Sequence, residues 1–247
     1  MLKNRLNEFN EKAKWLKKGV IYHRGKHGNG VKENTMEAFM GAIEDNLAIE
    51  LDVRLTKDNQ VVVFHDDNLK RMFDIDRNVD DISYDELCKI TDNKVPLFED
   101  VLSLVDNKVG LMVEVKSVKV GKLEEEVYRI LKEYKGRYVI ISFNPFTLRY
   151  FRKKDPLIIR GQLSYNYKDS KYNCFEKLML RRMWLNIFSK PHFISYGIDG
   201  LDYKFIGRIR KKGYFITGWT YKNEENKETL SKFYDNMVVE DLSIKEF

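Results

Sequence analysis

The chain has 247 residues, of which 43% are hydrophobic and 33% are charged, with a formal net charge of +6. This composition supports a packed globular core and argues against a disordered chain. The positive charge favours anionic partners such as phosphate esters or lipid headgroups. No zinc-finger, helix-turn-helix or RNP-like pattern accompanies it, so no nucleic-acid partner is expected.

Residues 1–18 are predicted to form a basic amphipathic N-terminal helix that Gly19 ends. Its apolar positions recur at helical spacing and are Leu2, Leu6, Phe9, Ala13 and Leu16. We find no linker-like stretch in the rest of the sequence. The predicted domain division is therefore the helix of residues 1–18, followed by one catalytic domain over residues 19–247.

Short β-rich runs then alternate with helical patterns. The β-rich runs cover residues 20–23, 48–53, 110–116, 138–143, 157–163, 192–196, 214–220 and 237–240. The helical patterns cover residues 35–46, 97–105, 123–134, 145–154, 174–188, 201–212 and 224–235. Such alternation predicts parallel strands and a (β/α)8 TIM barrel. A doubly wound open sheet is the alternative, but no Gly-rich dinucleotide fingerprint supports it.

One strand signal does not fit the alternation. Residues 61–64 read as a strand, yet only residues 54–60 separate them from the strand that ends at Val53. A parallel crossover needs about a dozen residues or more. Residues 54–65 are therefore predicted to form a hairpin, whose returning arm brings His65 beside the end of that strand.

The hairpin is followed by a long polar segment, residues 66–96, with a short helix predicted at residues 84–90. We expect this segment to form an excursion over the C-terminal mouth of the barrel, where such insertions shape substrate access. The predicted fold is thus an α/β TIM barrel with an added hairpin and loop excursion at about residues 54–96.

Three carboxylates and one lysine are predicted to meet at one rim of the barrel. Glu50 and Asp52 are two residues apart on a strand, so they project to the same face. Glu114 comes late in the next barrel strand, and Lys116 follows it by two residues, so both are expected to project to the same face. Such a cluster suits a hard divalent cation, Mg²⁺ or Ca²⁺. Solvated charges at a strand end, or an ion-pair network that supports the barrel, are the alternatives.

Two histidines follow β-rich runs near this cluster. His23 precedes Arg24 and Gly25 at the end of the first strand, and His65 ends the hairpin. Histidine can move protons near neutral pH, and the planar guanidinium of Arg24 suits a phosphate group. Phosphodiester cleavage needs a base, an acid and positive charge at the phosphate, so these residue types fit that reaction.

The order and spacing of these residues resemble the glycerophosphodiester phosphodiesterase family. The matching segments are His23-Arg24-Gly25, Glu33-Asn34-Thr35, Glu37-Ala38-Phe39, Glu50-Leu51-Asp52-Val53, Thr56 with Asp58, Val62-Val63-Phe64-His65-Asp66, Val95-Pro96-Leu97 and Glu114-Val115-Lys116. The match is close over residues 20–116 and thinner afterwards. Two positions depart from the family pattern: Lys32 stands where proline is usual, and Glu240-Asp241 stands where a Thr-Asp pair is common.

The resemblance implies a TIM-barrel enzyme that hydrolyses glycerophosphodiesters to glycerol 3-phosphate and an alcohol, with one divalent cation. It implies acid–base catalysis by His23 and His65, metal binding by Glu50, Asp52 and Glu114, and phosphate contacts by Arg24 and Lys116. The expected partner is a small phosphodiester. Trp219 ends a later strand and is expected either to line the substrate pocket or to belong to the core.

Residues 178–188 are both apolar and basic. Together with residues 1–18, they are predicted either to pack on the barrel or to make a weak peripheral contact with an anionic membrane. This stretch suggests a lysophospholipase D-like activity on lysophospholipids as an alternative function. A non-catalytic barrel that binds phosphorylated ligands is a second alternative.

The sequence also predicts a cytoplasmic protein. The N-terminus lacks the apolar run of a signal peptide, and no window approaches 18 consecutive apolar residues. Cys88 and Cys174 match no metal or redox spacing, so we expect two reduced thiols. Nothing in the sequence indicates an oligomeric state.

Overall fold

The computed structural model describes residues 2–168, 170–199, 202–222, 227–240, 243–244 and 246–247. The strands are β1 (Ile21–His23), β2 (Ala48–Leu55), β3 (Val61–Val63), β4 (Leu111–Val115), β5 (Tyr138–Ser142), β6 (Arg160–Ser164), β7 (Phe193–Gly197), β8 (Ile216–Tyr221) and β9 (Asn236–Val239). The helices are α1 (Leu2–Lys12), α2 (Met36–Glu44), α3 (Lys70–Phe73), α4 (Tyr84–Thr91), α5 (Phe98–Val105), α6 (Lys122–Glu133), α7 (Pro145–Lys154), α8 (Cys174–Arg181), α9 (Asn186–Ser189), α10 (Tyr203–Lys211) and α11 (Lys227–Leu230).

The fold is a (β/α)8 TIM barrel, as predicted. The eight strands other than β3 follow one another in the order of that fold, and β3 is an extra strand at the edge of β2. All eight predicted barrel strands are present, with ends displaced by at most three residues. The helix predicted over residues 174–188 is divided into α8 and α9. The helices predicted from Leu201 and Glu224 begin outside the described residues.

The chain forms two compact units, one of residues 22–138 and one of residues 1–21 together with 139–247. The predicted division into a helix of residues 1–18 and one domain over residues 19–247 stays a prediction. Cys88 and Cys174 are both free cysteines. Among the described residues, no helix has the length and apolar character needed to cross a membrane.

In the unit of residues 22–138, β2 is paired on both sides. It is parallel to β4, with Asp52 opposite Glu114, and antiparallel to β3, with Val53 opposite Val63. The turn between β2 and β3 is closed by a hydrogen bond from the Thr56 N–H to the Gln60 carbonyl, 3.0 Å long. The predicted hairpin is therefore confirmed.

The excursion after the hairpin has a small core of its own. Its buried side chains are Val62, Phe64, Leu69, Val79, Ile82, Leu87 and Val95. Helix α4 begins at an N-cap, where the Ser83 hydroxyl accepts from the Glu86 N–H at 3.3 Å. The polar segment predicted as a loop excursion is thus an ordered substructure in which apolar side chains recur between the charges.

In the other unit, α1 and the turn after it are anchored by buried apolar side chains. Phe9 is 1% exposed, and its ring centroid lies 5.5 Å from that of Phe193 and 4.9 Å from that of Phe215. Ala13 and Leu16 are also fully buried. Of the two predicted alternatives for residues 1–18, packing on the protein is therefore the one observed.

Candidate active site

The first strand ends in a sharp turn that positions His23 and Arg24. Arg24 has a φ of 55° and Gly25 a φ of 82°. A Cβ at Gly25 would lie 2.8 Å from the Ala38 Cβ, so the turn requires glycine at this position. The Arg24 N–H donates to Oε2 of Glu50 at 3.2 Å, and His23 Nε2 lies 3.9 Å from the same oxygen. Both residues are therefore directed toward the carboxylates of β2.

Three buried carboxylates lie together on β2 and β4. Glu50 and Asp52 share one face of β2, and Glu114 is the register partner of Asp52 in β4. One oxygen of each carboxylate lies within 4.8 Å of the corresponding oxygens of the other two. The exposed fractions of the three residues are 3%, 1% and 7%. The parallel register thus assembles the predicted cluster in a position that water scarcely reaches.

Lys116 and Arg24 supply positive charge to this carboxylate cluster. Lys116 Nζ lies 2.7 Å from Glu114 Oε1 and 3.1 Å from Asp52 Oδ1, and Arg24 Nε lies 3.3 Å from Asp52 Oδ2. Burial lowers the pKa of Lys116, but Asp52 and Glu114 outweigh burial and raise that pKa above its usual range. Three carboxyl groups therefore face two permanent cations.

The excess of carboxyl groups shifts their pKa values apart. Burial, together with the charges of Asp52 and Glu114, raises the pKa of Glu50 well above its usual range. Burial also raises the pKa of Glu114. Burial opposes ionisation of Asp52 too, but the charges of Lys116 and His65 lower its pKa below the usual range. A proton is therefore favoured on Glu50 unless a further positive charge reaches the cluster.

The donor set fits a hard divalent cation. All three donors are carboxylate oxygens, which Mg²⁺ and Ca²⁺ prefer. Oδ1 of Asp52 is buried and accepts no hydrogen bond from the residues that the structure describes, although the ammonium of Lys116 lies 3.1 Å away. An added cation would satisfy this acceptor and offset the negative charge. Glu50, Asp52 and Glu114 could therefore hold a metal ion.

His65 approaches the cluster on the returning arm of the hairpin, as predicted. The Phe64 N–H donates to the Asp52 carbonyl at 3.0 Å, which fixes the arm against β2. The Arg54 Nε donates to the His65 carbonyl at 2.8 Å. His65 therefore reaches the site from outside the ring of barrel strands.

The ring of His65 is oriented by its neighbour in the sequence. Nδ1 of His65 lies 2.6 Å from Oδ1 of Asp66, which favours the tautomer with the proton on Nδ1 and leaves Nε2 as an acceptor. Burial, with the charges of Lys116 and Arg24, lowers the pKa of His65, although Asp52 acts in the opposite direction. The neutral imidazole is thus the form that this environment favours near pH 7.

A model of the glycerophosphoryl diester phosphodiesterase family matches residues 23–241. The chain belongs to this family. The match covers most of the sequence, and it begins at His23 and includes each predicted site residue. The predicted family and enzyme class are therefore confirmed.

Relatives of known name agree with this assignment. A glycerophosphodiester phosphodiesterase of Caldanaerobacter subterraneus subsp. tengcongensis is 29% identical over 247 residues, covering 92% of this chain and 95% of the relative. The Bacillus subtilis protein YhdW is 31% identical over 239 residues, covering 90% and 93%. The human lysophospholipase D GDPD1 is 35% identical over 151 residues, which cover 54% of this chain and 47% of the human protein.

Solved structures of the family share the fold. The crystal structure of the Thermotoga maritima glycerophosphodiester phosphodiesterase has a TM-score of 0.73 and 29% identity, covering 90% of this chain and 94% of that one. An Oleispira antarctica phosphodiesterase, crystallised with the product sn-glycerol-3-phosphate, has a TM-score of 0.74 and 22% identity, covering 90% and 92%. The second likeness shows the fold alone.

In this member of the phosphodiesterase family, Asn34 is a further residue of the site. It is 2% exposed, has a φ of 55°, and donates from Nδ2 to Oδ2 of Asp52 at 2.9 Å. Oδ2 of the central carboxylate is thus held by Asn34, which leaves Oδ1 as the acceptor for a cation. Its only sequence signal was its place in the Glu33-Asn34-Thr35 segment of the family pattern.

A chain of ion pairs joins the site to the excursion. Glu33 Oε1 lies 2.7 Å from Arg24 Nη1 and 2.6 Å from Arg71 Nη2. Arg71 Nε in turn lies 2.6 Å from Oδ2 of Asp66, the residue that orients His65. Arg71 is the second residue of α3. The sequence did not indicate that it belongs to the site, because only the folded excursion brings it there.

Lys32, which departs from the family pattern, also contacts the excursion. Its Nζ donates to the Met72 carbonyl at 3.1 Å and lies 4.9 Å from the centroid of the Phe73 ring. The loop before the Glu33-Asn34-Thr35 segment is therefore tied to α3 by a side chain that proline could not supply. The second departure from the family pattern is Glu240-Asp241, and its Asp241 lies outside the described residues.

Trp219 belongs to the other compact unit, where it is part of an aromatic cluster. Its ring centroid lies 5.5 Å from that of Phe143 and 6.1 Å from that of Tyr165, both in edge-on geometry. The indole Nε1 is buried and has no hydrogen-bond partner in the described part of the chain. Its predicted contact with substrate stays a prediction.

Proposed function

We propose that this chain hydrolyses glycerophosphodiesters to glycerol 3-phosphate and an alcohol, with His23 and His65 as the acid–base pair. One observation carries the proposal: the end of β1 and the returning arm of the hairpin bring both histidines to the buried carboxylates of β2. His23 Nε2 lies 3.9 Å from Glu50 Oε2, and the N–H of Phe64, which precedes His65, donates to the Asp52 carbonyl at 3.0 Å. Phosphodiester hydrolysis needs two proton-transfer groups beside one phosphate position.

Glu50, Asp52 and Glu114 would hold one divalent cation, Mg²⁺ or Ca²⁺. When bound, this ion would polarise the phosphate and offset its negative charge. The donor set, the acceptor Oδ1 of Asp52 and the raised pKa of Glu50 support this assignment. Arg24 and Lys116 are the proposed phosphate contacts, because both present positive charge at the same cluster.

The tautomer of His65 suggests how the two histidines divide their roles. With Nδ1 donating to Asp66, Nε2 of His65 can accept a proton from the attacking oxygen. His23 would then protonate the leaving alcohol oxygen. Small phosphodiesters are the substrates that this arrangement suits, and a distant structural neighbour is known with glycerol 3-phosphate bound.

Release of glycerol 3-phosphate from glycerophosphocholine tests the proposal. His23→Ala and His65→Ala should each abolish turnover, while Mg²⁺ or Ca²⁺ still raises the unfolding temperature. Glu50→Ala and Asp52→Ala should weaken that cation response as well. His192→Gln is the control, since it replaces a histidine that belongs to the other compact unit. A variant lacking both His23 and His65 that kept near wild-type turnover would show the mechanism to be wrong.

A lysophospholipase D activity is the second candidate function. Two observations favour it: the 35% identity to the human lysophospholipase D over half of this chain, and the exposed apolar side chains of residues 172–187. Comparing glycerophosphocholine with lysophosphatidylcholine separates the two activities. Turnover of the acylated substrate alone would replace the first proposal. A non-catalytic barrel would show the same ligand binding and the same lack of turnover with and without His23. Membership of an enzyme family argues against this alternative.

A further inference from the structure

The segment after β6 exposes an unusual amount of apolar surface. Of the ten large hydrophobic side chains that are exposed among the described residues, five fall within residues 172–187. We call these five the apolar patch: Tyr172, Phe175, Leu178, Trp184 and Ile187. Phe175 is 65% exposed and Ile187 is 68% exposed. Isolated exposed apolar residues are normal, but a group of this kind marks an interaction site.

Helix α8 shows that this exposure is not a by-product of ordinary packing. None of its eight residues is buried. By contrast, the neighbouring α7 buries Leu148 and Phe151 with two further residues, and α10 buries three. An amphipathic helix normally gains its stability by burying one face. Helix α8 instead turns apolar side chains to solvent, where contact with water is unfavourable.

Three side chains of the apolar patch lie near one another. Phe175 and Leu178 are three residues apart on α8 and so share a face. The ring of Trp184 lies 6.3 Å from the ring of Phe175, measured between centroids. Phe175, Leu178 and Trp184 therefore form one exposed cluster, and Tyr172 and Ile187 each lie three residues away from a member of it in the sequence.

Basic residues accompany the apolar patch. Residues 165–190 contain six lysines or arginines and two acidic residues. Lys168, Lys177 and Arg181 line an open groove of about 490 Å³ beside Leu178. Asp202 offsets part of this charge, since its Oδ2 lies 3.2 Å from Nη2 of Arg182 and 3.9 Å from Nη2 of Arg181. With Asp202 included, six basic residues outnumber three acidic ones, so the surroundings of the patch keep a net positive charge.

We propose that the apolar patch and its basic groove dock this chain reversibly on an anionic lipid bilayer. Aromatic and aliphatic side chains that enter the headgroup boundary, with lysine and arginine beside acidic headgroups, are the chemistry of interfacial binding. A second copy of the chain is a poorer occupant, because a symmetric contact would bring two equally basic surfaces together. The inference does not depend on the proposed hydrolysis, since docking needs no substrate.

Co-sedimentation with lipid vesicles tests this docking. The full chain should bind vesicles that contain phosphatidylglycerol and phosphatidylcholine in about 0.1 M NaCl, and bind pure phosphatidylcholine vesicles far more weakly. Binding should shift the fluorescence of Trp184 to shorter wavelength, and Trp184→Phe should remove that shift. The double variant Phe175→Ser with Ile187→Ser should bind about tenfold more weakly.

Leu157→Ser is the matched control for the apolar variant, because Leu157 is 60% exposed outside the patch and its loss should leave vesicle binding unchanged. A charge variant with glutamine at Lys168, Lys171 and Lys177 gives a second test that leaves the apolar side chains in place. Its control carries glutamine at three other exposed lysines, Lys132, Lys153 and Lys211.

Three results would overturn the inference. The first is a wild-type chain that does not bind anionic vesicles. The second is a pair of patch and charge variants that bind them as well as the wild type. The third is a wild-type dimer, seen by light scattering, that the Phe175→Ser with Ile187→Ser variant converts to a monomer.

Discussion

Replacing Glu50 with glutamine removes one of three buried carboxyl charges and keeps the shape of the side chain. Glu50 is 3% exposed, and the charges of Asp52 and Glu114 help to raise its pKa. The amide oxygen of glutamine can still accept the hydrogen bond that the Arg24 N–H donates to Oε2. Without a bound cation, the Glu50→Gln variant should therefore be more stable than the wild type.

The size of this gain follows from the spacing of the carboxylates. Two unit charges 4.8 Å apart, the limit for the cluster, repel by about 3.5 kcal/mol at an effective dielectric constant of about 20. Lys116 and Arg24 offset part of that repulsion. We expect a net gain of about 2 kcal/mol at pH 8, which raises the unfolding temperature by about 4–8 °C for a chain of this length.

The gain should grow with pH. The pKa of Glu50 is raised in the folded protein, so the folded state keeps a proton that the unfolded chain loses above its ordinary pKa of 4.5. Wild-type stability therefore falls as pH rises from 4.5 through the folded pKa, whereas glutamine has no proton to lose. The difference between variant and wild type should be small at pH 5 and largest at alkaline pH.

Calorimetric unfolding with a chelator, and then with Mg²⁺ or Ca²⁺, measures both consequences. At about a hundred times its dissociation constant, a cation stabilises the wild type by about 2.7 kcal/mol, and the variant should gain less because one ligand has lost its charge. Glu99→Gln is the control, since the Glu99 carboxylate forms a surface pair with Arg129. A variant that is less stable than the wild type in chelator at pH 8, or one with an undiminished cation response, would refute this reasoning.

Two further substitutions test single contacts. Asp66→Asn removes the carboxylate that holds the proton on Nδ1 of His65. The kcat on glycerophosphocholine should therefore fall about 10–100-fold, with little change in KM. An unchanged kcat would contradict the orienting role of Asp66. His192 accepts the Arg160 N–H on Nδ1, and burial with the charge of Arg160 lowers its pKa to about 3. The unfolded chain takes up that proton below about pH 6.5, so the wild-type free energy of unfolding should fall by about 2 kcal/mol between pH 7.5 and pH 5. In urea unfolding, the corresponding fall for His192→Gln should be smaller by about 2 kcal/mol.

The carboxylate cluster could be predicted because its geometry follows from short-range rules. Alternation along a strand places Glu50 with Asp52, and the pairing of consecutive barrel strands places Glu114 beside them. The hairpin that carries His65 followed from a length limit, since too few residues separate β2 from β3 for a parallel crossover. In each case the sequence separation itself restricts the geometry to one arrangement.

The exposure of residues 172–187 could not be predicted in the same way. Apolar residues lie on most sides of this stretch, so the pattern is equally compatible with a helix packed on the barrel and a helix open to solvent. The structure distinguishes the two, because α1 buries Phe9 whereas α8 buries none of its residues. Which surface a helix meets depends on the whole fold, and a local pattern does not contain that information.

Arg71 illustrates the same limit at the site. It is one of 44 lysines and arginines, and its neighbours Lys70 and Met72 do not distinguish it from other exposed basic residues. Its partner Glu33 lies 38 positions earlier, and the two meet because the excursion folds around its own core. Three ion pairs then link the turn after β1 to His65. They join Arg24 to Glu33, Glu33 to Arg71, and Arg71 to Asp66. The orientation of His65 therefore depends on a segment that lies outside the barrel strands.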